Sequence, residues 1–158
     1  RGGSEMGIRD IIMDEPDNAL YYLMRGKILN DNLKEAGAAR QQYQRALDLD
    51  LPDDAVKSFK GFVDLRLGNK ANAISWIESI LSNVKDTDGS INYYAACLYA
   101  QIGNKLKALD CMERSLENGY ADYYNWTLND DSVVSVTPIR TEKEFTDLLQ
   151  RYNYLFNE

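Results

Sequence analysis

Apolar side chains recur along this chain with the period of an α-helix. In NALYYLMRGKIL, Leu20, Leu23, Met24 and Ile28 share one face, and Pro16, Asp17 and Asn18 ahead of them suit a helix start. EAGAARQQYQRALDL repeats the pattern with Ala39, Tyr43, Ala46 and Leu47, before Pro52, Asp53 and Asp54 break it. AVKSFKGFVDLRL and ANAISWIESIL form a second pair of stripes around Gly68, and INYYAACLYAQI and LKALDCMERSL a third around Gly103. DTDGS separates the second pair from the third, and Gly119 closes the last. The pattern predicts six helices in three antiparallel pairs, each helix about 12–15 residues long.

The pairs superimpose. Gly61 and Ala96, Gly68 and Gly103, and Ala73 and Ala108 each stand 35 residues apart, while Ala39, Tyr43 and Ala46 precede Ala73, Ile77 and Ile80 by 34. One helix pair cannot bury its own apolar face; stacked pairs can. The repeated Gly-Asn-Lys at Gly68–Lys70 and Gly103–Lys105 reads as an elbow, where a left-handed Gly ends one helix and the next begins at once. A nucleotide-binding loop needs Lys directly after Gly and then a hydroxyl, but Asn69 and Asn104 intervene, and Ala71 and Leu106 follow. The first pair requires one extra residue in its hinge.

Composition narrows the chemistry. The 158 residues suffice for a domain with a real core, and no apolar run reaches the length of a membrane span. A net charge of −7 argues against nucleic-acid partners, which need a positive stripe. The chain has no His, which removes the commonest general base and zinc ligand. Cys97 and Cys111 fall in apolar helical stripes and are expected to be buried free thiols. DTDGS lacks the alternating third ligand of a calcium loop and reads as a turn with Gly89 or Ser90 as helix cap. Asn125-Trp126-Thr127 is a formal glycosylation sequon inside an aromatic stretch. No enzyme, cofactor or metal is expected.

The spacing of small and large residues resembles the tetratricopeptide repeat family. That pattern wants small residues at the eighth and twentieth positions of each repeat, met by Gly26, Gly61 and Ala96 and by Ala39, Ala73 and Ala108. It wants a large apolar residue at the twenty-fourth, where Tyr43, Ile77 and Met112 stand, and a small one at the twenty-seventh, where Ala46 and Ser115 fit and Ile80 departs. At the eleventh, Tyr99 fits, while Leu29 and Asp64 depart. After the repeats, Ile139, Arg140, Phe145, Leu148 and Leu149 match the spacing of the family's C-terminal extension. Thr141 and Glu144 suggest a capping box for its helix, continued by Tyr152 and Leu155. The Val-rich SVVSVTP before it has the composition of a short extended piece.

The resemblance implies an all-α, right-handed superhelix of three helix pairs with a C-terminal capping helix. Residues 1–16 are expected to be a flexible leader or helix start. The pairs should span 17–51, 53–86 and 88–121, and the cap 122–158. The implied function is protein–protein interaction, with a peptide or partner helix held in a concave groove lined by the first helix of each pair. Carrying the groove positions across gives Leu23, Lys27 and Asp31, then Ser58, Phe62, Leu65 and Arg66, then Tyr93, Cys97 and Gln101. Phe62, Arg66 and Tyr93 are of types enriched in binding hot spots; the competing expectation is that the chain's own tail fills some of these positions. Leu23 and Lys27 occupy places where chaperone-binding members carry a Lys and Asn clamp, so that partner is not expected. The alternative is a structural or self-associating terminal segment of a longer repeat protein. The sequence names no compartment; a cytoplasmic location is favoured over a signal removed upstream of Arg1.

Overall fold

The computed structural model describes residues 18–50, 54–127 and 134–157, with side chains of the second segment described from Ser58 onward. The expected leader, the Pro16–Asp17 helix start, the Pro52–Asp53 break and the first residues of SVVSVTP lie outside these. Eight α-helices are present among the described residues, without a strand: α1 (Ala19–Lys27), α2 (Ala36–Asp48), α3 (Asp54–Arg66), α4 (Lys70–Asn83), α5 (Ser90–Ile102), α6 (Lys105–Glu117), α7 (Tyr123–Thr127) and α8 (Lys143–Arg151). The chain forms two compact units, one ending at Trp76 and the other starting at Ile77, a division that falls inside α4.

In the first unit, Asn18 caps α1 by accepting from the Leu20 amide at 3.0 Å. Of the expected stripe Leu20, Leu23, Met24 and Ile28, only Leu23 is fully inside; the other three are half-buried, and Ala19, Tyr22, Gly26 and Leu29 complete the buried face. The reason is Gly26, where an added Cβ would lie 2.4 Å from a Tyr43 ring carbon of α2. The smallest residue turns toward the largest, and the rest of the face follows.

The extra residue expected in the first hinge is taken up as a π-helical turn over Ile28–Asn32. In the second and third elbows, Asn69 N–H donates to the Asp64 carbonyl (2.8 Å) and Asn104 N–H to the Tyr99 carbonyl (2.9 Å), behind Gly68 and Gly103 with φ of 84° and 93°. In the first, Glu35 N–H reaches one residue further back, to the Leu29 carbonyl at 2.7 Å, and the left-handed residue is Lys34 with φ 57°. A side chain in that conformation is strained by roughly 1 kcal/mol. Lys34→Gly should therefore raise stability by about 1 kcal/mol, read as a higher urea midpoint.

Asp64 stands where the repeat pattern wants an aromatic residue. It is 4% exposed and accepts from Trp76 Nε1 of α4 at 2.8 Å, which satisfies both groups. Lys60, also buried, lies over the Trp76 ring and donates to the Leu47 and Leu49 carbonyls at the end of α2, groups the helix itself leaves unpaired.

In the second unit, DTDGS is a helix cap. Asp86 accepts from the Ile91 and Asn92 amides and from Asn92 Nδ2, and Asp88 accepts from the amide and hydroxyl of Ser90. These carboxylates offset the orphan amides that open α5. From Ile91 to Ala100, α5 is buried except at Tyr94, so it is the central helix of the unit. Ala73, Ala96 and Ala108 each have no exposed surface. Ala73→Leu or Ala108→Leu should cost roughly 1–3 kcal/mol by overpacking, seen as a lower thermal midpoint.

The described parts of the tail after Gly119 contain further helical turns: α7, a 3₁₀ turn and α8. Val136 and Ile139 are fully buried, and the described part of the expected extended piece forms no strand and ends in a 3₁₀ turn at Thr137–Ile139. Arg140 lies beside the Phe145 ring and donates to the Thr127 carbonyl at the end of α7. The capping box expected at Thr141 does not form. Glu142 N–H still bonds Ile139 in the preceding turn, so α8 starts a residue later, with Glu142 as N-cap and no side-chain bond. Phe145 and Leu148 are buried; α8 ends at Arg151, and Tyr152 caps it rather than continuing it.

Candidate functional site

The ten positions carried across from the groove pattern divide sharply. In the first unit, Lys27, Asp31 and Arg66 form a charged group contributed by α1, its π-turn and α3. Lys27 Nζ lies 3.1 Å from Asp31, and Asn30 Nδ2 donates to the same carboxylate at 2.9 Å. Partial burial alone would raise the Asp31 carboxyl. The Asn30 and Lys27 hydrogen bonds, with the Lys27 and Arg66 charges, outweigh it and hold the group below the usual carboxylate range. Arg66 is exposed, and its charge also reaches the Tyr43 phenol, whose pKa burial raises. Asn30 and Tyr43 thus join the group, and the odd hinge spacing was the signal that could have drawn attention to Asn30.

Leu23, Ser58 and Phe62, expected to line the groove, are instead core residues, each at most 1% exposed, and Leu65 is half-buried. A partner has no access to those three in this structure. The expectation followed helix face alone, and burial of these side chains is decided by packing that helix face does not specify.

In the second unit the tail occupies the corresponding face of α5. Tyr93 is 2% exposed; Tyr120 stacks on its ring at 4.7 Å, and Trp126 meets it edge-on at 5.0 Å. Trp126 donates Nε1 to the Tyr120 carbonyl, and Asn125 Nδ2 donates to the Tyr120 hydroxyl. The sequon asparagine is therefore engaged in the cluster. Cys97 is fully buried, and Gln101 Nε2 donates to the Ser135 carbonyl at 3.4 Å. Burial pushes the Tyr93 phenol and the Cys97 thiol far up, the Tyr120 phenol up to about 12 and the Cys111 thiol up to about 12. Both cysteines are unpaired, buried and protonated at neutral pH, a state in which a thiol is a poor nucleophile. Tyr120, Trp126 and Ser135 cover this face; the capping helix α8, expected as the alternative occupant, does not supply these contacts.

Among the described residues, no group of three or more Cys, Asp or Glu side chains is placed to hold a metal ion, and no helix is long and apolar enough to cross a membrane. Compared with known proteins, the chain matches no family model, no curated protein and no solved structure.

Proposed function

We propose that the chain is a tetratricopeptide-like interaction module: a right-handed superhelix of three helix pairs closed by a C-terminal extension. It binds a segment of a protein partner on the first-helix face of its first unit. The observation that carries this reading is the Lys27–Asp31–Arg66 group. Two helices a repeat apart bring it together, it stays open to solvent at Arg66, and it is locally cationic in an acidic chain. The recurrence of one elbow geometry 35 residues apart supports the repeat. Arg66 and Lys27 would meet carboxylates or backbone carbonyls of the partner, with Asp31 orienting Lys27. No catalytic role is proposed.

Phe62→Ala or Tyr93→Ala would perturb the core, so charge reversal is the cleaner test. Affinity capture from the native host with wild type and with the Lys27→Glu/Arg66→Glu variant should show the partner lost by roughly tenfold or more in the variant. Unchanged recovery from a folded variant would overturn the assignment.

A second reading, a self-associating or terminal structural segment, is favoured by the tail's cover over Tyr93, Cys97 and Gln101. Sedimentation at several concentrations separates the two. Reversible dimerisation supports the second reading, and a monomer at all concentrations removes self-association.

A further inference from the structure

Within the second unit, a cleft of about 310 Å³ lies between α6 and α8. Leu109 and Leu148 give it an apolar floor, and Leu106, one turn before Leu109, is 83% exposed and extends the apolar strip along α6. Four carboxylates stand around that floor: Asp110 and Glu113 from α6, Glu144 and Asp147 from α8. Arg151 is the cation among the lining residues.

Three of the four carboxylates already have a basic partner, so the net negative charge of the rim comes from Glu144 and from how loosely the other three are held. Asp110 pairs with Arg114 at 3.1 Å, Asp147 with Lys143 at 3.0 Å and Glu113 with Arg151 at 2.9 Å, and each basic side chain is 59% exposed or more. Exposed pairs of this kind hold their partners weakly, so an incoming cation can exchange with them. Glu144 is exposed. Apolar floor, acidic rim and concave shape are together the complement of a chain that alternates aliphatic and basic side chains. The carboxylates are spread along two helices, a spacing that suits successive basic side chains rather than one ion.

We propose that the α6–α8 cleft docks a basic segment of a protein partner. Its aliphatic side chains would lie over Leu109 and Leu148, and its Arg or Lys side chains would reach Asp110, Glu144 and Asp147. This surface is separate from the Lys27–Asp31–Arg66 group and does not depend on the proposal made for it.

The test uses the whole chain and a fluorescein-labelled peptide of three Arg-Leu repeats, followed by anisotropy. Wild type should bind the probe. The Asp110→Asn/Glu144→Gln/Asp147→Asn variant should bind roughly tenfold more weakly, while Glu35→Gln/Asp48→Asn/Asp50→Asn, an equal charge change in the first unit, should alter binding less than about twofold. Amide NMR shifts of wild type on adding the probe should centre on Leu109, Glu144 and Leu148. Equal loss in both variants would show bulk charge attraction only and overturn the proposal. So would equal binding of a Glu-Leu peptide, absence of probe binding, or shifts centred away from the cleft.

Discussion

Trp126→Ala should destabilise the second unit by about 3–5 kcal/mol, the largest loss expected from any single truncation described above. Trp126 has no exposed surface and stands edge-on to both Tyr93 and Tyr120. Removing it forfeits the buried area, opens a cavity under α5 and leaves the Tyr120 carbonyl without its indole donor. Urea unfolding followed by circular dichroism reads the effect as a lower midpoint. The variant keeps Trp76 as its single tryptophan, so fluorescence then reports the first unit separately. A midpoint within error of wild type would mean that the tail is not packed on α5 as described.

Gly89→Ala should cost about 3 kcal/mol. Gly89 has φ 82°, where an L side chain is strained by roughly 1–2 kcal/mol. An added Cβ would also lie 2.3 Å from the Ser115 carbonyl oxygen, a backbone atom that cannot step aside cheaply, and this crowding adds roughly 1–3 kcal/mol. The same shift would disturb the 2.6 Å bond from Ser115 Oγ to the Gly89 carbonyl. Gly103→Ala is the matched comparison. Its φ is 93°, yet its Cβ would meet nothing within 4 Å, so only the strain of roughly 1–2 kcal/mol applies. Thermal melts of the two variants should differ, with Gly89→Ala the lower. Equal losses would place the whole cost in backbone conformation and remove the close approach at Ser115.

The elbows were legible because a left-handed helix end selects Gly, and Gly followed by Asn and Lys recurs at a fixed spacing. The hinge anomaly was legible for a similar reason: one residue too many has to go somewhere, and the π-turn at Ile28–Asn32 holds it. The buried face of α1 was legible only in part: Leu23 and the small Gly26 of the repeat pattern are inside, whereas Leu20, Met24 and Ile28 are half-buried because the face turns toward Tyr43. The groove inventory failed in the same way at Phe62 and Tyr93. Residue type marks an aromatic side chain as a hot spot or as core with equal force, and only the third dimension separates them. Of the charged positions, Arg66 is exposed, as a long cationic side chain that keeps its head in water, while Lys27 and Asp31 are half-buried and paired with each other. The α6–α8 cleft left no trace in the sequence, since its lining comes from two segments joined by tertiary packing.

The central claim is that a partner engages the first-helix face of the first unit. Site-specific photo-cross-linking tests it most directly, with a benzophenone side chain placed at position 66 on α3 or, for comparison, at position 45 on α2. Irradiation in the native host should yield one protein adduct from position 66 and none from position 45. Adducts from position 45 alone, or from neither position, would contradict the claim.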